Sequence, residues 1–585
     1  MAFDLLIKNG RVVDGSGEPA FQADVAVKDG RIVGVGKYNG AAAERTIDAE
    51  GRVVAPGFID HHTHFDPQAV WDPYCGSWLH NGHTTVIVGQ CGQVIAPVRP
   101  GDGEWYLEFF SDAEQIPLPV LKAGVDVTWE SVGDYLNALG KKRGINVGTL
   151  VGHSGIRRYV MGEAADEREA TPDEMVAMQR LIRDAMYDGA LGFSTAPKDR
   201  GDPAGVPDDA ERWALASVLG ELGTGVFQVA GGAPGGTKQT RAVARELAAR
   251  TGRPSIYNLM SDPIGNPDEW VEHLKWLEDG FKSGARCYGS CLSTVAGGIF
   301  NLERGLNVPQ DEDITHPEGF FRGMPTWDEV MARPYRERIQ AFRDPEIRKA
   351  LSAEAVEGTV DQQGGMTDRL GRVRGLFNRR WDLVQVFMTT KGQNRHLEGK
   401  TIEQIAQEQN KSIMDAFLDL SLDEDLQTCF QAIDRNHDPK VQKHILGSAY
   451  TVIGTSDGGG RPHTADRHET STHLLGHWVR EQQAMTLEQA VYRLTGKTAL
   501  MHDITDRGFI AAGKIADITI FDPDTIAEKP REPSATLPGG GIEVKREAVG
   551  IDYVVVNGTV LYEGGQLTDA LPGQIIRGPL YQARA

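Results

Sequence analysis

Short β-type runs at both ends of this chain enclose a long middle in which β-type and helical patterns alternate, and few folds satisfy that arrangement. In residues 1–56, Leu5-Leu6-Ile7, Arg11-Val12-Val13, Asp24-Val25-Ala26-Val27 and Arg31-Ile32-Val33-Gly34-Val35 are separated by Lys8-Asn9-Gly10 and Lys28-Asp29-Gly30. Asn-Gly and Asp-Gly between apolar runs signal hairpins, because these residues tolerate positive φ. Residues 501–585 repeat the style with Arg507-Gly508-Phe509-Ile510, Ala516–Phe521 and Tyr553–Leu561, the last broken by Asn557-Gly558. The expectation is one small β-sandwich domain built from both segments.

The middle, 57–500, reads as βα units. Thr84–Gly89, Asn146–Gly152, Gly189–Ser194 and Gly225–Val229 are β-type runs. Thr171-Pro172-Asp173-Glu174 is a capping box with Pro at the first helical position. Behind it Met175, Met178, Leu181, Ile182, Ala185 and Met186 recur at helical spacing, a core-facing stripe. Thr486-Leu487-Glu488-Gln489 opens a second such helix. Repeated βα units imply a parallel sheet. At this length the expected class is α/β, a (β/α)8 TIM barrel, and no Gly-X-Gly-X-X-Gly follows a strand to favour dinucleotide binding. Residues 295–395 have weak periodicity and are expected to form an insertion near the barrel mouth. There Pro325-Thr326-Trp327 and Arg379-Arg380-Trp381 either shape a pocket or pack locally.

The 585 residues carry 61 basic and 82 acidic side chains, a net charge of −21. Such acidity argues against nucleic acid or an anionic membrane as partner and suits a small-molecule substrate. The start, Met1-Ala2-Phe3-Asp4, lacks a basic segment followed by a long apolar core, and no apolar run is long enough to span a bilayer. Five cysteines, few and odd in number, fit free thiols in a reducing compartment, so the expected location is cytoplasmic. A homo-oligomer is compatible with such a barrel, and no segment marks an interface.

The chemistry concentrates at strand ends. Asp60-His61-His62-Thr63-His64 follows the buried run Val53–Ile59. Alternate strand residues point the same way, so His62 and His64 share a face and can hold one divalent cation, zinc or a similar ion. Cys91 follows Thr84–Gly89; its thiolate is a strong ligand beside a dication, although a buried structural Cys is the commoner use of that residue. Asp457 ends Val452–Ser456 and precedes three glycines. It can meet a metal or move a proton, or it is a turn Asp. His153 follows Asn146–Gly152, and Arg157 lies four residues on, where it pairs either with a substrate carboxylate or with an internal acid. Of the histidines after Asp457, His463 is expected nearest the site.

Together Pro56–His64, Gly89-Gln90-Cys91-Gly92, Gly152-His153-Ser154 with Arg157, Gly189–Ser194, Gly454–Gly458 and Asp506–Asp517 resemble the amidohydrolase superfamily, and within it the N-acyl-D-amino-acid deacylase branch. The resemblance spans about residues 3 to 577 and implies a distorted (β/α)8 barrel beside a β-sandwich. By motif, His62, His64 and Cys91 would be zinc ligands. Asp457 would be both ligand and general acid/base, in a hydrolysis where the metal polarises the carbonyl and activates water.

One departure stands out. Where relatives with a complete site carry two middle-strand histidines, this chain has Gln228 and Asn258. Amides are weaker zinc ligands, which leaves one metal or two open and makes Asn258 a candidate substrate contact. Lys198 would bridge two metals if carboxylated, as in some relatives. The expected activity is hydrolysis of an N-acyl amino acid or similar small amide. A cyclic amide, imide or lactone hydrolase on the same fold is the alternative, and a non-catalytic scaffold the third reading.

Overall fold

The structure is a computed structural model. It describes residues 2–140, 142–198, 202–231, 236–264, 268–303, 305–306, 321, 324–357, 366–367, 373–374, 379–462 and 469–582. The chain divides into two compact units, Met1–Ser261 with Trp270–Thr294 and Lys443–Ala585, and Asp262–Glu269 with Val295–Gln442.

In the first unit, eight parallel strands carry the middle of the sequence. They are β1 (Phe58–Asp60), β2 (His83–Val88), β3 (Asn146–Thr149, continuing after Leu150 as Val151–Gly152), β4 (Gly192–Thr195), β5 (Val226–Val229), β6 (Ser255–Asn258), β7 (Cys287–Cys291) and β8 (Thr451–Ile453). Neighbours in this order pair in parallel from β1 to β8. First and last meet just past their ends, through a parallel bridge between Thr63 and Gly458, so the barrel is distorted at that seam. Ile59, Ile87, Leu150, Leu191, Val226, Ile256 and Val452 pack together in one core cluster. The capping box at Thr171 is present, and Met178, Ile182, Ala185 and Met186 of the helix Pro172–Asp188 are buried.

Both chain ends join one nine-stranded sheet. Val53–Pro56 sits at its centre, parallel to Phe3–Val12 on one side and antiparallel to Ile518–Phe521 on the other. Asp29-Gly30 and Asn557-Gly558 are two-residue hairpin turns, between Lys28 and Arg31 and between Val556 and Thr559. Asn9-Gly10 is not a turn. The strand Phe3–Val12 runs straight through it with a bulge, because the Asn9 amide is taken by Asp24 Oδ1 at 2.9 Å and an extra residue is absorbed without reversing the chain. Arg507–Ile510 is not a strand either; Arg507 is buried against the Asp517 carboxylate. Asp517 also accepts from Asn146 Nδ2 at 2.9 Å, which ties this sheet to the start of β3.

The second unit has a core of its own. Ala296–Asn301, Cys429–Arg435 and Val384–Met388 form an antiparallel sheet backed by helices that include Pro325–Ala332 and Ile413–Asp423. Trp327 stacks on Phe321 at 3.7 Å between ring centroids, and Trp381 lies 5.0 Å from Phe417. Both tryptophans are buried in this cluster, so they pack a core and do not line a pocket. Among the described residues no helix is long and apolar enough to cross a membrane.

Candidate metal centre

The C-terminal ends of β1, β2, β5, β6 and β8 converge on one buried cluster. Strand β1 stops at Asp60, two residues before His62, so the His-X-His motif occupies the turn beyond the strand. Its shape is set by hydrogen bonds from three sides. The His62 amide donates to Asp60 Oδ1 at 3.1 Å, and Asp60 Oδ2 accepts from Trp78 Nε1 at 2.7 Å. The Thr63 hydroxyl donates to Ile87 O, and the His64 amide to Gly458 O at 2.6 Å. The two imidazoles end 5.4 Å apart, nearly perpendicular.

Cys91 lies in a tight loop after β2 in the left-handed conformation, φ 58°. Gly89 makes that loop possible, since a Cβ there would sit 2.2 Å from Leu150 O. Ser194 of β4 holds the loop from both sides, accepting from the Gly92 amide and donating to Gly89 O. The sulfur is packed with Ala196, Ala204 and Ala230. Asp457 follows β8 with φ 51°. Gly459 must be glycine here, because a Cβ would lie 2.7 Å from the backbone of His64.

The ligand-type atoms of His62, His64 and Cys91 all lie within 4.8 Å of one another, and all three residues are buried. Cys91 Sγ is 3.5 Å from His62 Nε2. Asp457 Oδ1 is 3.3 Å from His62 Nε2 and 4.0 Å from His64 Nε2. Two imidazoles, a thiolate and a carboxylate form the nitrogen, sulfur and oxygen set that suits zinc. The electrostatics agree. Burial alone would pull His62 down, but the negative charge of Cys91 and the hydrogen bond and charge of Asp457 outweigh it and raise the imidazole to about 10. That negative field is what a divalent cation takes up in place of a proton.

Three neighbours carry no motif signal. Glu114, the last residue of the helix Gly103–Glu114, places Oε1 3.6 Å from His64 Nδ1. Arg461 Nη2 donates to Asp457 Oδ2 at 2.7 Å. Asp66 accepts from the Gly89 amide, and burial pushes its carboxyl up to about 8. Spacing to Asp457 and His64 flags Arg461 and Asp66 only in retrospect, and Glu114 comes from a remote helix.

Gln228 on β5 and Asn258 on β6 both border Cys91. His153 and Arg157 have a different use from the substrate contact expected of them. Arg157 Nη1 meets both Glu211 oxygens at 2.5 Å, and its other donors reach Ala165 O and Arg168 O. His153 bridges Thr195 Oγ1 and Glu211 Oε1, each at 2.9 Å. Both are fully buried, and these groups are engaged in an internal ion pair. Burial pushes Glu211 up, yet His153 and Arg157 together bring it down to about 2. Lys198 is exposed. His463 lies outside the described residues.

A family model described as "Amidohydrolase family" matches residues 45–281 and 412–562. The D-aminoacylase of Alcaligenes xylosoxydans xylosoxydans is 28% identical over 583 residues, 98% of this chain and 97% of its own length. The N-acyl-D-glutamate deacylase of Bordetella bronchiseptica, solved with zinc and a phosphonate inhibitor that mimics the tetrahedral intermediate, aligns with a TM-score of 0.61 at 26% identity, covering 99% of this chain and all of its own. A D-aminoacylase with a binuclear metal centre aligns with a TM-score of 0.64 at 26% identity, covering 98% of this chain and all of its own.

Proposed function

Since this chain belongs to the amidohydrolase family, we propose that it is a zinc-dependent hydrolase that cleaves the amide bond of an N-acyl amino acid, with the D series as the substrates to test first. The observation that carries this reading is the buried set of His62, His64 and Cys91 with Asp457 Oδ1 beside both imidazoles. The near full-length similarity to a D-aminoacylase supports the substrate class.

His62, His64, Cys91 and Asp457 would hold the ion, which when bound supplies Lewis acidity toward the acyl carbonyl and toward water. The protein's own share is positioning and proton transfer. Asp457 takes a proton from the attacking water and passes it to the leaving amine nitrogen, as a general base and then a general acid. Arg461 holds the outer oxygen of Asp457, so that Oδ1 stays turned to the imidazoles. A cytoplasmic location goes with this reading, supported by five buried cysteines that form no disulfide.

The test is a panel of N-acyl-D- and N-acyl-L-amino acids with chiral analysis of the released amine, run beside a cyclic imide and a lactone. Release of free D-amino acid by the zinc-loaded protein is the expected result. Turnover of the cyclic substrates alone would reassign the bond cleaved.

A further inference from the structure

The two amide side chains beside Cys91 are not interchangeable spectators, because one of them has its orientation fixed. The backbone amide of Cys91 donates to Gln228 Oε1 at 2.6 Å. A buried N–H needs an acceptor, so this bond decides which way the Gln228 amide is turned. Its Nε2 then faces the sulfur at 3.8 Å. From the next strand, Asn258 brings Nδ2 to 4.0 Å from the same sulfur and to 3.2 and 3.3 Å from Nε2 and Nδ1 of His62.

An amide NH2 offers donors and no lone pair to a metal. Two such groups turned toward Cys91 present positive hydrogen charge on that side of the sulfur. The electron-pair donors lie elsewhere: His62 Nε2 is 3.5 Å from the sulfur, and Asp457 Oδ1 touches the imidazoles. A thiolate bridges two dications only if each has further ligands of its own. Among the described residues, the side chains on the Gln228 and Asn258 side are amides, which hold zinc poorly. Asn258 Oδ1 is buried without a hydrogen-bond partner. Turned over, it would offer one more oxygen to the ion on His62, and it would still not assemble a second site.

We propose that Gln228 and Asn258 make Cys91 a terminal ligand and the centre a one-metal site, with His62, His64, Cys91 and Asp457 as its donors. The inference rests on the metal-dependent reading above and deepens it. Gln228 acts as a positioning residue: it anchors the Cys91 backbone with its oxygen and draws electron density from the sulfur with its nitrogen. A thiolate hydrogen-bonded in this way gives less charge to its metal, which leaves the metal a stronger Lewis acid toward substrate.

The experiment counts metal on the full-length protein. Chelator-stripped protein is titrated with Zn2+, freed of unbound ion by gel filtration, and analysed by mass spectrometry. A parallel titration with Co2+ follows the thiolate-to-cobalt charge-transfer absorption. The expected result is one retained equivalent, with the sulfur absorption complete at that point. The Gln228→His, Asn258→His double variant should rise from one equivalent to two. Gln228→Leu, should the double variant not fold, keeps one equivalent but moves the cobalt absorption to lower energy, because the sulfur loses its donor.

Two retained equivalents in the unaltered protein, with sulfur absorption growing through the second, would overturn the one-metal assignment. An unmoved absorption in Gln228→Leu would overturn the role of Gln228 at the sulfur. Retention of no metal at all would overturn the metal-dependent reading itself, a result distinct from either.

Discussion

Arg461 Nη2 holds Asp457 Oδ2 at 2.7 Å while Asp457 Oδ1 faces His62 Nε2 at 3.3 Å. The two oxygens of one carboxylate are thus divided between a fixed cation and the ligand cluster. Arg461→Gln frees the outer oxygen and lets the carboxylate rotate. Since small misplacements at a reacting centre cost up to about 100-fold, we expect kcat to fall about tenfold with metal content unchanged. Steady-state kinetics beside metal analysis checks this, and loss of metal together with rate would recast Arg461 as part of the binding shell.

Asp457→Asn keeps the shape of the side chain and removes the proton acceptor. General acid–base groups contribute on the order of 100- to 10,000-fold, so turnover should drop by that order while zinc is retained. Near-normal turnover would remove Asp457 from the proton-transfer role.

His62 touches Cys91, Asp457 and Asn258 at once. His62→Ala should therefore abolish stoichiometric metal binding, read by mass spectrometry on the folded variant. A full complement of metal in that variant would mean that the ion sits elsewhere.

The buried Arg157–Glu211–His153 group gives a prediction about stability and pH. Glu211 is held at about 2, below its ordinary value of 4.5, so its contribution is present above pH 4.5 and is lost as pH falls toward 2. At about 1.4 kcal/mol per unit, the depression corresponds to about 3 kcal/mol. Glu211→Gln should lower stability by that order at neutral pH and flatten the acid limb between pH 4.5 and 2, measured by denaturant unfolding. An unchanged acid limb would show that Glu211 is not the group responsible.

Trp327 is stacked on Phe321 inside the second unit. Removing a buried aromatic costs about 3–5 kcal/mol, so Trp327→Ala should destabilise that unit by this amount in a two-stage unfolding curve. A pocket role would instead raise KM and leave unfolding unaltered.

The candidate cluster was legible because each of its residues stands at or just past a strand end, in a run whose apolar residues mark the strand and whose glycines mark the turn. The barrel was legible for the same reason. What escaped notice depends on partners distant in sequence. Arg157 looks like a substrate anchor until Glu211 arrives on another helix and takes its Nη1 with both oxygens. Glu114 reaches His64 from the end of a helix that carries no catalytic pattern. Asn9-Gly10 has the composition of a turn, and a single hydrogen bond to Asp24 makes it a bulge. Composition reports what a residue tolerates, whereas its use is decided by whichever neighbour the fold delivers.

The sheet that joins the chain ends bears on how this protein is made. Val53–Pro56 leaves the ribosome well before its antiparallel partner Ile518–Phe521, with Pro56 paired to Ile518. Through most of synthesis that strand has an open, apolar edge, the kind of surface on which nascent chains stick to one another. Its closure must wait for Ile518–Phe521, so formation of this pairing is non-local. A chaperone that shields Val53–Pro56 during translation should raise the yield of active protein more than one that acts after release.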